Sequence, residues 1–162
     1  GGFFSLRCNY PERHDRKEME RMRYHLIVSH GGFAAGMAEA LGMLVGKRED
    51  VLQVSFRDGM ALPAFQEQVR QVIAPITAED EVIVMADLVN GSPLTTTMAA
   101  LSEGPGLDNV RAVGGMNLPM AVTAVEGEDG LLDETVEAMR SCAVEEVKLF
   151  RTETNADSDD DI

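Results

Sequence analysis

At 162 residues, 44% of them apolar and none of them Trp, the chain is long enough for one domain with a substantial core. Its formal charge is −14, with −12 carried by residues 24–150, so it lacks the basic stripe that nucleic acid requires, and no apolar run approaches the ~20 residues that span a bilayer. With no signal-peptide pattern in its first residues, it is expected to be soluble, cytoplasmic, not membrane-spanning and without nucleic-acid partners.

Residues 1–22 mix charges without a sustained period and read as a flexible extension or short amphipathic helix, dispensable for folding. Met19 and Met22 both precede the first regular strand. The two cysteines, Cys8 and Cys142, are too few for a disulfide framework or a zinc site, so both are expected to be reduced thiols, with Cys142 in the core.

Residues 24–29 (YHLIVS) predict the first strand, and residues 32–45 a helix that is apolar around most of its circumference. Residues 51–56 (VLQVSF) predict a second strand. The next helix places Phe65, Val69, Val72 and Ile73 on one face until Pro75 stops it. "EVIVMAD" (81–87) is nearly continuously apolar, as a strand covered on both faces should be. Pro93 suits the first turn of a helix continuing to residue 102. A fourth strand, "VRAVGG", two further helices (118–125 and 131–142) and a short last strand, "VKLF" (147–150), complete the domain at residue 151; residues 152–162 read as an acidic, disordered tail. Alternation of this kind predicts an α/β fold: a doubly wound, mainly parallel sheet of four to five strands with helices on both faces.

In such sheets ligands gather at the carboxyl ends of the strands. The first strand ends in "VSHGG", which puts His30 at its tip. The third ends in "MADLVNGSP", which puts Asp87 at its tip and Ser92 at the next helix start. If the two strands lie close, an imidazole and a carboxylate meet on one edge. Gly31 and Gly32 permit a tight turn into a helix whose N-terminal amides attract an anion, and Ser92 adds a hydroxyl. A strand-end histidine is often structural, an aspartate before a helix is often a cap, and "NGSP" alone is an ordinary turn. Together they make a nucleophilic nitrogen beside an anion cradle, which suits a phosphoryl group better than an acyl or metal centre. The remaining histidines are His14, in the extension, and His25, within the first strand and assigned to packing or an edge. No metal cluster, second catalytic histidine, nucleophile elbow or nucleotide-binding glycine motif is present.

"LIVSHGGFAAGM", then "VIVMADLVNGSPLTTT", then "VGGMNLPMAV" in that order resemble the enzyme IIA component of the mannose-family sugar phosphotransferase system, over most of residues 22–150. The resemblance implies a doubly wound domain that forms a homodimer, with the C-terminal strand taking part in the subunit contact. It implies that His30 accepts phosphate from the histidine-containing phosphocarrier protein and passes it to a IIB component for sugar uptake. Asp87 matches the family's aspartate and Ser92 the serine of its Gly-Ser-Pro turn; Asn90 replaces the family's usual first glycine. With the chain ending soon after residue 150, the IIB partner is expected to be a separate protein. The sugar is chosen by the membrane components.

On that reading Asp87 takes the Nδ1–H of His30, so that Nε2 attacks, and stabilises the cationic ring that forms. Amides near Gly31 and Gly32, with Ser92, contact the phosphoryl oxygens; no metal or other cofactor is required. Leu88, Val89, Met116, Leu118 and Met120 form either a docking rim or part of the core or dimer contact. Two other readings stay open: a regulatory module whose phosphorylatable histidine controls a regulator or transporter, and the related phosphotransfer subunit serving dihydroxyacetone kinase.

Overall fold

The computed structural model describes residues 21–152; the expectations for the extension before Arg21, including Cys8, and for the acidic tail from residue 153 lie outside the described residues. The elements are β1 (Arg23–His30), α1 (Phe33–Val45), β2 (Val51–Phe56), α2 (Leu62–Ile73), β3 (Glu81–Ala86), α3 (Ser92–Glu103), β4 (Val110–Val113), α4 (Leu118–Glu126) and α5 (Leu132–Glu145). The sheet runs β2-β1-β3-β4 and every pairing is parallel, which is the doubly wound α/β architecture expected.

The expected fifth strand is absent. Val147–Phe150 follows α5 without regular structure, leaving Val147, Leu149 and Phe150 78%, 81% and 92% exposed. Strand propensity is realised only through pairing with a neighbour, and among the described residues no sheet edge receives this segment.

The period of two in β1 divides the core. Tyr24, Leu26 and Val28 pack with Phe65, Val69 and Ile73 of α2 and with Leu94 and Leu101 of α3. Ile27 points the other way, into a cluster with Met37 and Leu41 of α1, Met120 of α4 and Met139 of α5. Leu26, Ile27 and Val28 are fully buried, and each is worth about 1.5–3 kcal/mol relative to exposure. His25 is fully buried in β1 with Nε2 4.0 Å from an Asp50 oxygen; because β1 lies between β2 and β3, its place is packing and not an edge.

Proline in the first turn starts α2, α3 and α4, where a missing N–H costs nothing. The first helix, α1, starts differently: the Ser29 hydroxyl, buried at the end of β1, accepts from the Ala34 amide at 2.6 Å. At the opposite end of the strands Arg23 is buried. Its Nε donates to Glu81 at 2.7 Å, Nη1 to Thr135 Oγ1 at 3.0 Å and to the Gly127 carbonyl at 3.1 Å, and Nη2 to the Gly130 carbonyl at 2.8 Å. One side chain thereby ties β1 and β3 to the α4–α5 turn. Cys142 is in the core as expected, but it is disulfide-bonded, which corrects the expectation of two reduced thiols.

Candidate functional site

The order β2-β1-β3 makes the chain wind one way from β1 through α1 and the other way from β2 through α2. The carboxyl ends of β1 and β3 therefore flank the switch point, where a crevice opens in sheets of this kind. His30 is the last residue of β1 and Asp87 follows β3, so two residues 57 apart in sequence become neighbours.

His30 Nδ1 lies 2.8 Å from Asp87 Oδ2, with the imidazole 45% exposed and the carboxylate 14%. The same oxygen accepts the His30 backbone N–H at 2.9 Å, and Oδ1 accepts the Leu88 N–H at 2.8 Å. Burial alone would raise the Asp87 carboxyl; the His30 amide, the His30 ring and the Leu88 amide outweigh it and hold the group below its ordinary range. Asp87 is then an acceptor only, so Nδ1 carries the hydrogen and the lone pair of a neutral ring is left on Nε2.

The backbone behind this pair is also held. Gly115 N–H donates to the Asp87 carbonyl at 3.1 Å and Met116 N–H to the Ala86 carbonyl at 2.9 Å. A side chain on Gly114 would collide with Val89, reaching within 2.8 Å of its backbone nitrogen. Asn117 caps α4 by accepting the Met120 amide at 3.0 Å, and its own amide donates to Ala143 of α5 at 2.9 Å. The "VGGMNLPM" segment thus positions the end of β3.

Each glycine of the turn after His30 has its own role. Gly31 takes φ 56° and its N–H is occupied by the Phe56 carbonyl at 2.8 Å, while Gly32 is the N-cap of α1. Ser92 is the exposed first residue of α3. Beside it, Gly91 performs a task the sequence reading missed: a Cβ there would stand 2.8 Å from His30 Cε1, so the α3 entry presses on the ring edge. The glycine in "NGSP" was the available signal, though it reads equally as a turn. Phe56 backs the ring from β2, with centroids 6.5 Å apart.

The apolar surroundings divide. Leu88 and Val89 are 57% and 61% exposed beside the site, as is Phe33 at 48%, which the sequence reading did not single out. Met116 and Met120 are buried and Leu118 packs against the same cluster, so these three belong to the core. Among the described residues no group of three or more His, Cys, Asp or Glu is placed to hold a metal ion. No helix among them is long and apolar enough to cross a membrane. A cavity of about 530 Å³ lies between the ends of α2 and α3, lined by Arg70, Ile73, Glu103 and Pro105, at the edge of the sheet away from His30.

Residues 24–140 match the family described as PTS system fructose IIA component. The chain is 28% identical over 95 residues to the PTS system fructose-specific EIIA component of Bacillus subtilis (strain 168), covering 59% of this chain and 63% of that protein, so it spans less than two thirds of this relative's length. Among solved structures, the PTS IIA protein associated with the fucose utilization operon of Streptococcus pneumoniae is similar with 31% identity and a TM-score of 0.62, over 75% of this chain and 91% of its own. The mannose/sorbose specific IIA subunit of Enterococcus faecalis shares the fold with a TM-score of 0.71 at 24% identity, over 82% and 98%.

Proposed function

Since the chain belongs to the PTS fructose IIA component family, we propose that it is a phosphoryl carrier, taking the group onto His30 from the histidine-containing phosphocarrier protein and passing it to a IIB component that serves sugar uptake. The observation that carries this reading is the 2.8 Å contact between a half-exposed imidazole and a carboxylate held by three N–H groups. Its distal nitrogen is the nucleophile.

In the reaction, Nε2 donates its lone pair to phosphorus while the donor's P–N bond breaks and leaves its electron pair on the donor ring. Nδ1 keeps its hydrogen on Asp87, which offsets the positive charge gained by the ring. The transition state is loose, so positioning and charge stabilisation dominate. Ser92 and the Gly32 amide contact the phosphoryl oxygens; the Gly31 amide is already engaged by Phe56, so that glycine contributes its turn. No metal or other cofactor takes part. Leu88, Val89 and Phe33 form the docking surface for the protein partners.

The carrier works in the cytoplasm as a homodimer. Support for the second copy comes from Val147, Leu149 and Phe150, which stand exposed after α5 in a form that a strand from or against another subunit would cover.

Incubation with phosphoenolpyruvate, its kinase and the phosphocarrier protein is expected to add one acid-labile phosphate per chain, which then moves to a IIB protein. His30→Ala is expected to take up none. Labelling that survives in His30→Ala would end the assignment.

A further inference from the structure

Beyond β2, at the same sheet edge as His30, stands a cation that the reading above leaves unused. His30 pairs in register with Phe56, so Arg57 is the next residue out at the carboxyl tip of the adjacent strand. Its guanidinium lies over the turn that follows His30: a Cβ on Gly32 would meet Nη1 at 3.1 Å and Cζ at 3.9 Å. The bare glycine is what makes room for it.

Arg57 also differs from most other arginines among the described residues. Arg23, Arg48, Arg70, Arg111 and Arg140 each pair with a carboxylate. Arg57 is exposed and, among the described residues, its guanidinium makes no ion pair or hydrogen bond, although Asp58 is its neighbour and the chain holds 28 acidic residues. A guanidinium left without a carboxylate in so acidic a molecule is available to an anion that comes and goes. That anion faces an adverse field here, since the chain is −14 overall and His30 already rests on a carboxylate.

We propose that Arg57 grips the phosphoryl group on His30 Nε2, closing its planar fork on two of the three equatorial oxygens as the P–N bond forms. The inference rests on His30 being the acceptor. The bond changes are those already given: Nε2 supplies the pair for the new bond, the donor ring keeps the pair of the old one, and Arg57 exchanges no proton. A fork of N–H donors matches such oxygens better than an ammonium, and charge-assisted contacts of this type are about twice as strong as neutral ones.

The test compares the full chain with Arg57→Gln and Arg57→Lys, using two donors. One is the phosphocarrier protein; the other is phosphoramidate, which brings no protein surface. With phosphoramidate, wild type is expected to label on His30, Arg57→Gln to label about tenfold more slowly or worse, and Arg57→Lys to recover only part of the rate, the charge without the fork. Recovery by Lys separates a charge effect from damage to the fold, which thermal melts of all three proteins check directly. Equal phosphoramidate rates in wild type and Arg57→Gln would overturn the proposal. A defect confined to the protein donor would overturn it too, by making Arg57 a partner contact. Failure of wild type to label with either donor would instead overturn the His30 reading itself, and this inference with it.

Discussion

Asp87 meets three N–H groups with two oxygens, and an amide in its place can satisfy only part of that set. Asp87→Asn is therefore expected to fold but to accept phosphate roughly 10²-fold more slowly, the scale on which a positioned proton partner acts; rapid-quench labelling measures it. The same carboxylate leaves a signature in acid. Its folded value lies below the unfolded one of ~3.9, so between the two the unfolded chain binds more protons and stability rises with pH. Its contribution is complete above the unfolded value and is lost as pH falls through the folded one. Urea titrations at several pH values should show the stability gap between wild type and Asp87→Asn shrinking below about pH 4; a constant gap would contradict the sign. Gly91→Ala drives a methyl into His30 Cε1 and is expected to slow labelling while leaving most of the fold, with the displaced ring visible in imidazole NMR shifts.

The strands and helices were legible because a period of two or 3.6 survives in a single chain, and Pro93 marks a helix start. His30, Asp87 and the turn glycines were legible for the same reason: the ends of well-marked strands are easily located. What was not legible depends on contacts between distant segments. Apolar loop residues look alike in sequence, so Leu88 and Met120 were read as equivalent, whereas one is 57% exposed and the other 2%. The pressing of Gly91 on His30 and the placing of Arg57 over Gly32 appear only once the sheet order is known. Two substitutions separate the first pair: Leu88→Glu is expected to shift stability by no more than about 0.5 kcal/mol yet slow uptake from the protein donor, while Met120→Glu is expected to unfold the chain. Arg23→Met is expected to cost about 3–5 kcal/mol in urea denaturation, because it removes a buried guanidinium bonded to Glu81 and to the carbonyls of the α4–α5 turn.

At the scale of the molecule, charge and exposed surface are unevenly distributed. Acidic groups dominate the body, which favours encounter with basic partners and makes that encounter sensitive to salt. The apolar residues after α5 are the ones a lone subunit would be least expected to leave in water. With the paired subunits proposed above, Leu149→Asp combined with Phe150→Asp is expected to shift sedimentation from dimer toward monomer without abolishing phosphate uptake, since neither residue belongs to the His30 pocket.

The meeting of His30 with a partner 57 residues downstream has a kinetic corollary. On the function proposed above, the imidazole oriented by Asp87 comes into being when β1 and β3 dock, after β2 and α2 have been threaded between them in the chain. Chemical competence is thus a timer for a non-local pairing, the slow kind of event in folding. In a refolding experiment, pulses of the phosphorylated carrier protein, which needs the folded surface, would date the closure of that pairing, and helix formation followed by circular dichroism should run ahead of it.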